Sequence, residues 1–271
     1  MKKNKKYRRR LRLKKKLKKS KFKIKYYVDD ASPQANDRSS TAFAHPKCYA
    51  NIFNECSQNI SKEHFISQSI LNKFEVIYPA DIEYLKGILK KPIKPNMLSV
   101  NCLCEYHNSL LSPLDSMIGH FFESTTRFYD ELNTGFVFKG KNLELWFTKC
   151  LIGYLATNKL SHNGVKFSIT DLDPSLLNFL FRGEPLPSEY GLYYADYVGK
   201  KSGFSKRFKL QALFLDNKFS GISILFGGFK FYFSLEKRER AFNEKISNAV
   251  VLYRPKLFKK VSSRDFIKIE W

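Results

Sequence analysis

Residues 98–108 read LSVNCLCEYHN, and the fold turns on how this stretch is read. A Pro-rich turn (Pro92, Pro95) precedes a short strand predicted over residues 97–103, and a helix follows from about Glu105. A Cys104-x-x-His107 pair at a helix start presents a thiolate and an imidazole to one tetrahedral zinc. Cys48 and Cys56 complete four ligands from an upstream loop, although their gap is wide for a zinc knuckle. Cys102 competes with Cys104 for the site, and the spacing to His107 favours Cys104.

Upstream, SKEHFIS (61–67) reads as a strand end passing into a turn or short helix. A further helix is predicted over about residues 81–89. Downstream, Leu114, Met117, Ile118, Phe121, Phe122 and Phe128 recur near a 3.6-residue period, as do the apolar residues of 143–158. Asp171 or Asp173 caps a helix running through Phe181, with Pro174 in its first turn. From Tyr190 onward the pattern becomes that of strands, over residues 191–198, 207–216, 221–226, 229–235, 249–253 and 266–271. Alternating Phe208, Leu210, Ala212 and Phe214 predict an antiparallel sheet with one buried face. Asp216-Asn217-Lys218 and Gly227-Gly228 supply hairpin turns. Asp115 reads as a helix cap, Cys150 as a small buried hydrophobe, and the Phe-rich stretch 224–233 as a buried sheet face.

The chain of 271 residues carries a formal charge of +23, with 43% hydrophobic residues. That much apolar material excludes global disorder, and no run is long enough to span a membrane. The charge is lopsided: residues 2–25 hold 16 Lys/Arg and no acid, leaving +7 on the rest. Residues 1–27 therefore read as a disordered basic arm that attracts polyanions, nucleic acid before a membrane surface. Residues 28–46 read as a linker. The charged N-terminus lacks an apolar stretch, so no secretory signal is expected, and five cysteines (an odd number) point to a reducing, cytoplasmic setting.

Taken together, Cys48…Cys56…Ser61-Lys-Glu63-His64-Phe-Ile-Ser…Leu103-Cys104-Glu-Tyr-His107-Asn108 resembles the zinc-stabilised type of HNH (His-Me finger, ββα-metal) endonuclease. The resemblance covers residues 46–115 and none of the C-terminal half. It implies a ββα-metal nuclease core over residues 47–135; the helical and strand patterns read above add a C-terminal α+β domain over 136–271 with an antiparallel sheet, so the chain is expected to be α+β. The resemblance also implies that His64 is the general base, and that Glu63 and Asn108 hold a catalytic Mg²⁺ or Mn²⁺. Cys48, Cys56, Cys104 and His107 would hold a structural Zn²⁺. Asn96 is the choice for the asparagine that braces the histidine loop, with Asn101 the alternative. Exchanging the roles of His107 and Asn108 stays open at this point. The sequence departs from the family pattern in having Glu63 for the commoner Asp, His107 for a cysteine, and an insertion around residues 70–92. The implied substrate is nucleic acid, DNA before RNA, in a bacterial or phage setting of restriction, mobile elements or phage defence. The C-terminal domain would hold substrate or bind a partner protein. The competing reading is a zinc-stabilised nucleic-acid binder without catalysis.

Overall fold

The computed structural model describes residues 22–33, 41–74, 76–78, 82, 91–128, 133–188, 190–197, 208–236, 249–259 and 264–271. The helix expected over residues 81–89 and most of the basic arm lie outside these residues. Among the described residues, no helix is long and apolar enough to cross a membrane.

In chain order, β1 (Lys23–Tyr27) leads into the loop that carries Cys48 and Cys56. Then come β2 (Ile60–Glu63), the single-turn helix α1 (Gln68–Leu71) and β3 (Val100–Cys104). Next follow α2 (Glu105–Leu110), α3 (Ser112–Arg127), β4 (Thr134–Lys139) and α4 (Gly140–Ala156). The short hairpin β5 (Leu160–His162) and β6 (Val165–Phe167) precedes α5 (Ser175–Arg182). The remainder is strands: β7 (Gly191–Tyr197), β8 (Lys209–Leu215), β9 (Lys218–Phe226), β10 (Phe229–Ser234), β11 (Ala249–Tyr253), β12 (Leu257–Lys259) and β13 (Phe266–Glu270).

The protein is mixed α+β, as expected. Strands β11-β7-β10-β9-β8 form a fully antiparallel sheet. Its hairpins turn on Asp216–Asn217 (φ 48° and 61°) and Gly227–Gly228 (φ 58° and 86°). Positive φ at both turn residues matches the right-handed twist of the flanking strands. Phe229, Phe231 and Phe233 face the core from this sheet. Strand β13 joins a different sheet, of order β1-β4-β13-β12, in which β1 and β13 both pair parallel with β4.

That pairing corrects two expectations. Residues 23–27, the end of the expected disordered arm, are an edge strand: Lys23 and Lys25 sit on an open edge, where charge is tolerated, while β4 supplies the backbone partners. The expected linker is tied to the core around residues 29–31. The Asn142 side chain accepts from Ala31 N at 3.3 Å and donates to Asp29 O at 2.8 Å. One cluster of buried side chains runs from Ala31 to Ile269, so the core continues across the expected division at residues 135/136.

Helix α4 is the centre of that core, buried at every position from Asn142 to Leu155. A helix buried all round must satisfy its polar side chains internally. Asn142 does so with the 29–31 segment. Glu144 accepts from Leu192 N and takes a two-point ion pair from Arg254. Lys149 reaches two carboxylates, those of Glu63 and Asp115. Gly153 lets the helix approach: a Cβ there would lie 2.4 Å from Phe65 Cβ, so α4 rests directly on the residue after His64.

Candidate metal centre

The cluster is built from two pieces of chain. Strand β3 pairs antiparallel with β2, Cys104 opposite Ile60 and Leu103 opposite Ser61. Cys104 ends the strand in extended conformation (φ −71°, ψ 161°), and α2 starts at the next residue. Cys104 and His107 therefore lie three residues apart across a helix start, on one side. The free N–H groups of that first turn find partners in the chain entering β2: Glu105 N donates to Asn59 O and Tyr106 N to Ser57 Oγ.

Cys48 and Cys56 come from the preceding loop. Tyr49 N bonds Cys102 O at 2.9 Å, tying the loop to β3. A 3-10 turn over Asn51–Phe53 and a left-handed Asn54 (φ 53°) then reverse the chain. This reversal is how so wide a gap between the two cysteines still brings both thiols to one point. Cys56 N closes the loop on Phe43 O at 2.9 Å.

The four side chains are buried, and their donor atoms all lie within 4.8 Å of one another. His107 Nδ1 stands 3.1 Å from Cys104 Sγ, 3.6 Å from Cys48 Sγ and 3.8 Å from Cys56 Sγ. Tetrahedral zinc, with Zn–S of about 2.3 Å and Zn–N of about 2.0 Å, requires such separations to be about 3.5 Å. Three thiols and an imidazole of this geometry, closed to solvent, fit a structural metal such as zinc. The Cys48 side chain, donating to the Cys104 sulfur, holds the Cys104 thiol well below its ordinary pKa, and His107 adds to the effect. One thiolate is thus already favoured before an ion arrives. Cys102, buried on β3, is outside the cluster, which decides for Cys104. Burial pushes the Cys102 and Cys150 thiols up, so both are inert.

Beside this cluster lies a second polar group of different composition. The β2/β3 register shifts between Ser61 and Glu63, and the bulge turns the Glu63 side chain inward, to 3% exposure. Lys149 Nζ, fully buried, stands 2.7 Å from Glu63 Oε1 and 2.6 Å from Asp115 Oδ1. Ser67 Oγ donates to the same Asp115 oxygen and accepts from Trp146 Nε1 at 2.7 Å. Burial alone would lower the Lys149 pKa, but the two carboxylates outweigh it and keep the ammonium charged. Asp115 does sit in the first turn of α3, but its side chain serves this network rather than capping the helix.

His64 follows β2 directly and is half-buried, and its Nε2 is a buried atom without a hydrogen-bond partner. Burial, then the Lys149 charge, lowers its pKa, so the ring is a neutral base at neutral pH. The Tyr49 hydroxyl is also buried and unpartnered. Burial above all holds that phenol protonated. Asn108 stands on α2, half-buried, one residue past His107. With His107 Nδ1 inside the sulfur cluster, the exchange of roles between these two residues is closed. Asn96 falls in the 3-10 turn Pro95–Met97, and its side chain lies outside the described residues. Asn101 is exposed on β3 and lines an open cleft of about 660 Å³ with Lys47, Tyr49 and Asp173.

The expected Glu63–Asn108 ion site meets a difficulty here, because the Glu63 carboxylate already has a cation, Lys149. Sequence reasoning missed Asp115 and Lys149 as members of the site. The signal for Lys149 was a lone lysine in the middle of the apolar helix WFTKCLIG (146–153), a residue type that is buried only when paired. No family model, no curated protein and no solved structure matches this chain.

Proposed function

We propose that the chain is a zinc-stabilised nuclease that hydrolyses phosphodiester bonds of nucleic acid, DNA before RNA, with His64 as the general base. The observation that carries this reading is the placement of His64. It leaves a strand–strand–helix unit (β2, β3, α2) whose third piece is anchored by the Cys48–Cys56–Cys104–His107 cluster. Its Nε2 is neutral and unpartnered. A neutral imidazole in that state accepts a proton from water as the water attacks phosphorus. In this reading the order of elements is a ββα-metal core. Zinc bound by the cluster would supply no chemistry to the reaction; it would tie the cysteine loop to the β3–α2 junction and so fix the strand that pairs with β2. The basic excess of the chain supplies attraction for a polyanion.

A second reading is favoured by one observation. Glu63 is held by Lys149, so the Glu-His pair also fits a buried structural network in a zinc-stabilised nucleic-acid binder. One comparison separates the two: supercoiled plasmid and structured RNA incubated with wild type and with His64→Ala. Hydrolysis predicts cleavage by wild type and a loss of about 10²–10⁴-fold in the variant, with nucleic-acid binding and melting temperature kept. Equal cleavage by both proteins, or none by wild type with Mg²⁺ or Mn²⁺ supplied, contradicts it.

A further inference from the structure

The resemblance implies that Glu63 is half of a divalent-ion site, and the structure surrounds it differently. We propose that the ammonium of Lys149 is the resident cation of the carboxylate cluster adjoining His64, and that Glu63 consequently does not hold a divalent ion. The inference concerns the same site as the hydrolytic reading, yet it is measured without substrate.

Three observations carry it. The first is occupancy: the ammonium makes an ion pair with Glu63 Oε1 at 2.7 Å and a charge-assisted hydrogen bond to Asp115 Oδ1 at 2.6 Å. An ion that took Glu63 would leave a fully buried ammonium short of a partner, the costly way to break a buried pair. The second is space. Mg²⁺ demands near-ideal octahedral geometry and keeps several of its waters. Glu63 is 3% exposed, so with Lys149 in place an ion at that carboxylate would have to give up most of its waters.

The third is the way Lys149 is delivered. It projects from a helix that is buried at every position around it, far along the chain from Glu63 and Asp115. Ser67 and Trp146 add hydrogen bonds that fix Asp115 as the ammonium's second acceptor. A lysine carries a full desolvation penalty in such a place, and only a matched pair of carboxylates offsets it. Lys149 is thus a positioning residue: it fixes the carboxylate adjoining His64, and does so with a charge that cannot diffuse away.

The test is a Mn²⁺ titration of zinc-loaded protein, with free Mn²⁺ followed by its electron paramagnetic resonance signal. Wild type, Glu63→Gln, Lys149→Met and the double variant Lys149→Met/Glu63→Gln are compared, and zinc content and circular dichroism check the fold of each. Wild type and Glu63→Gln should bind the same amount of Mn²⁺ within twofold. Lys149→Met, which leaves two carboxylates without their cation, should gain about one Mn²⁺ per chain, and the double variant should lose it again. A Mn²⁺ bound to wild type and lost in Glu63→Gln overturns the proposal, as does a folded Lys149→Met that gains none. If Lys149→Met does not fold, the pair of wild type and Glu63→Gln decides alone. A protein that never cuts nucleic acid yet gives the expected titration keeps this inference and loses the hydrolytic reading. A protein that cuts nucleic acid through a Glu63-bound Mn²⁺ does the reverse.

Discussion

Two buried polar clusters sit side by side in this molecule, and they are closed in opposite ways. The sulfur cluster gathers four donors that face one another with nothing positive among them. The carboxylate cluster carries its own cation, from a helix that the resembling segment does not include. The first could hold a metal such as zinc. The second has one cation, supplied by the chain itself, shared between its two carboxylates. Acidic and sulfur-rich motifs therefore do not carry equal weight as evidence for ions: a thiol cluster is hard to satisfy with side chains, whereas a carboxylate is satisfied by any lysine that the fold delivers.

The comparison can be broken from the sulfur side first, where the largest effect is expected. Cys104→Ser removes the thiolate that joins β3 to α2, and in small metal modules metal binding is folding free energy. Loss of the cooperative melt, or a fall in its midpoint of about 10 °C or more, is expected, together with loss of zinc. A zinc-free variant that melts like wild type would show the cluster to be ordinary packing.

From the carboxylate side, Lys149→Ala leaves the buried Glu63 and the partly exposed Asp115 without their cation and should cost about 3–5 kcal/mol of folding stability. The removal of Glu63 and Asp115 together with Lys149 should restore part of it. Chemical denaturation reads this directly. An unchanged midpoint in Lys149→Ala would mean that the ion pair contributes nothing net.

A subtler difference concerns pH. The folded-state pKa of His64 is depressed by burial and then by Lys149. A depressed value means that more acid is needed to charge the ring. The acid limb of any His64-dependent cleavage should therefore lie below the ~6.5 of a free imidazole. Stability contributed by the neutral ring is present above ~6.5 and lost as pH falls through the depressed value. Lys149→Ala removes one of the causes and should move the limb upward. A limb above ~6.5 in wild type would contradict the placement of His64.

The smallest effect on the fold is expected at the N-terminus. Deletion should stop at residue 21, since Lys23–Tyr27 is a strand of the β4 sheet. A chain lacking residues 1–21 should melt as before but bind nucleic acid with a shallower salt dependence, each lost phosphate contact removing about 0.9 from the log–log slope on duplex DNA. An unchanged slope would deny the arm its electrostatic role.

Legibility in the sequence followed the range of each contact. Cys104 and His107 are three residues apart, so the strand-to-helix junction that presents them could be read locally, and Cys48 and Cys56 followed from it. The strands β7 to β11 announced themselves by alternation and paired turn residues. Strand β1 did not: Ile24 and Tyr26 alternate with Lys23 and Lys25, but the surrounding lysines hide the pattern, and the pairing that stabilises it lies more than a hundred residues away in β4. Asp115 looked like a cap because its local position suits one; only Lys149, across the fold, shows what its side chain does. Where a side chain's partner is distant in sequence, spacing alone has nothing to read.

The account rests on the two clusters treating metal differently, and a single measurement puts both to the test. Protein dialysed first against a mixture of Zn²⁺ and Mn²⁺, then exhaustively against buffer, is assayed by inductively coupled plasma mass spectrometry. One zinc per chain and no retained manganese is the expected result. Folded protein without zinc, or with manganese held in equal amount, would contradict it.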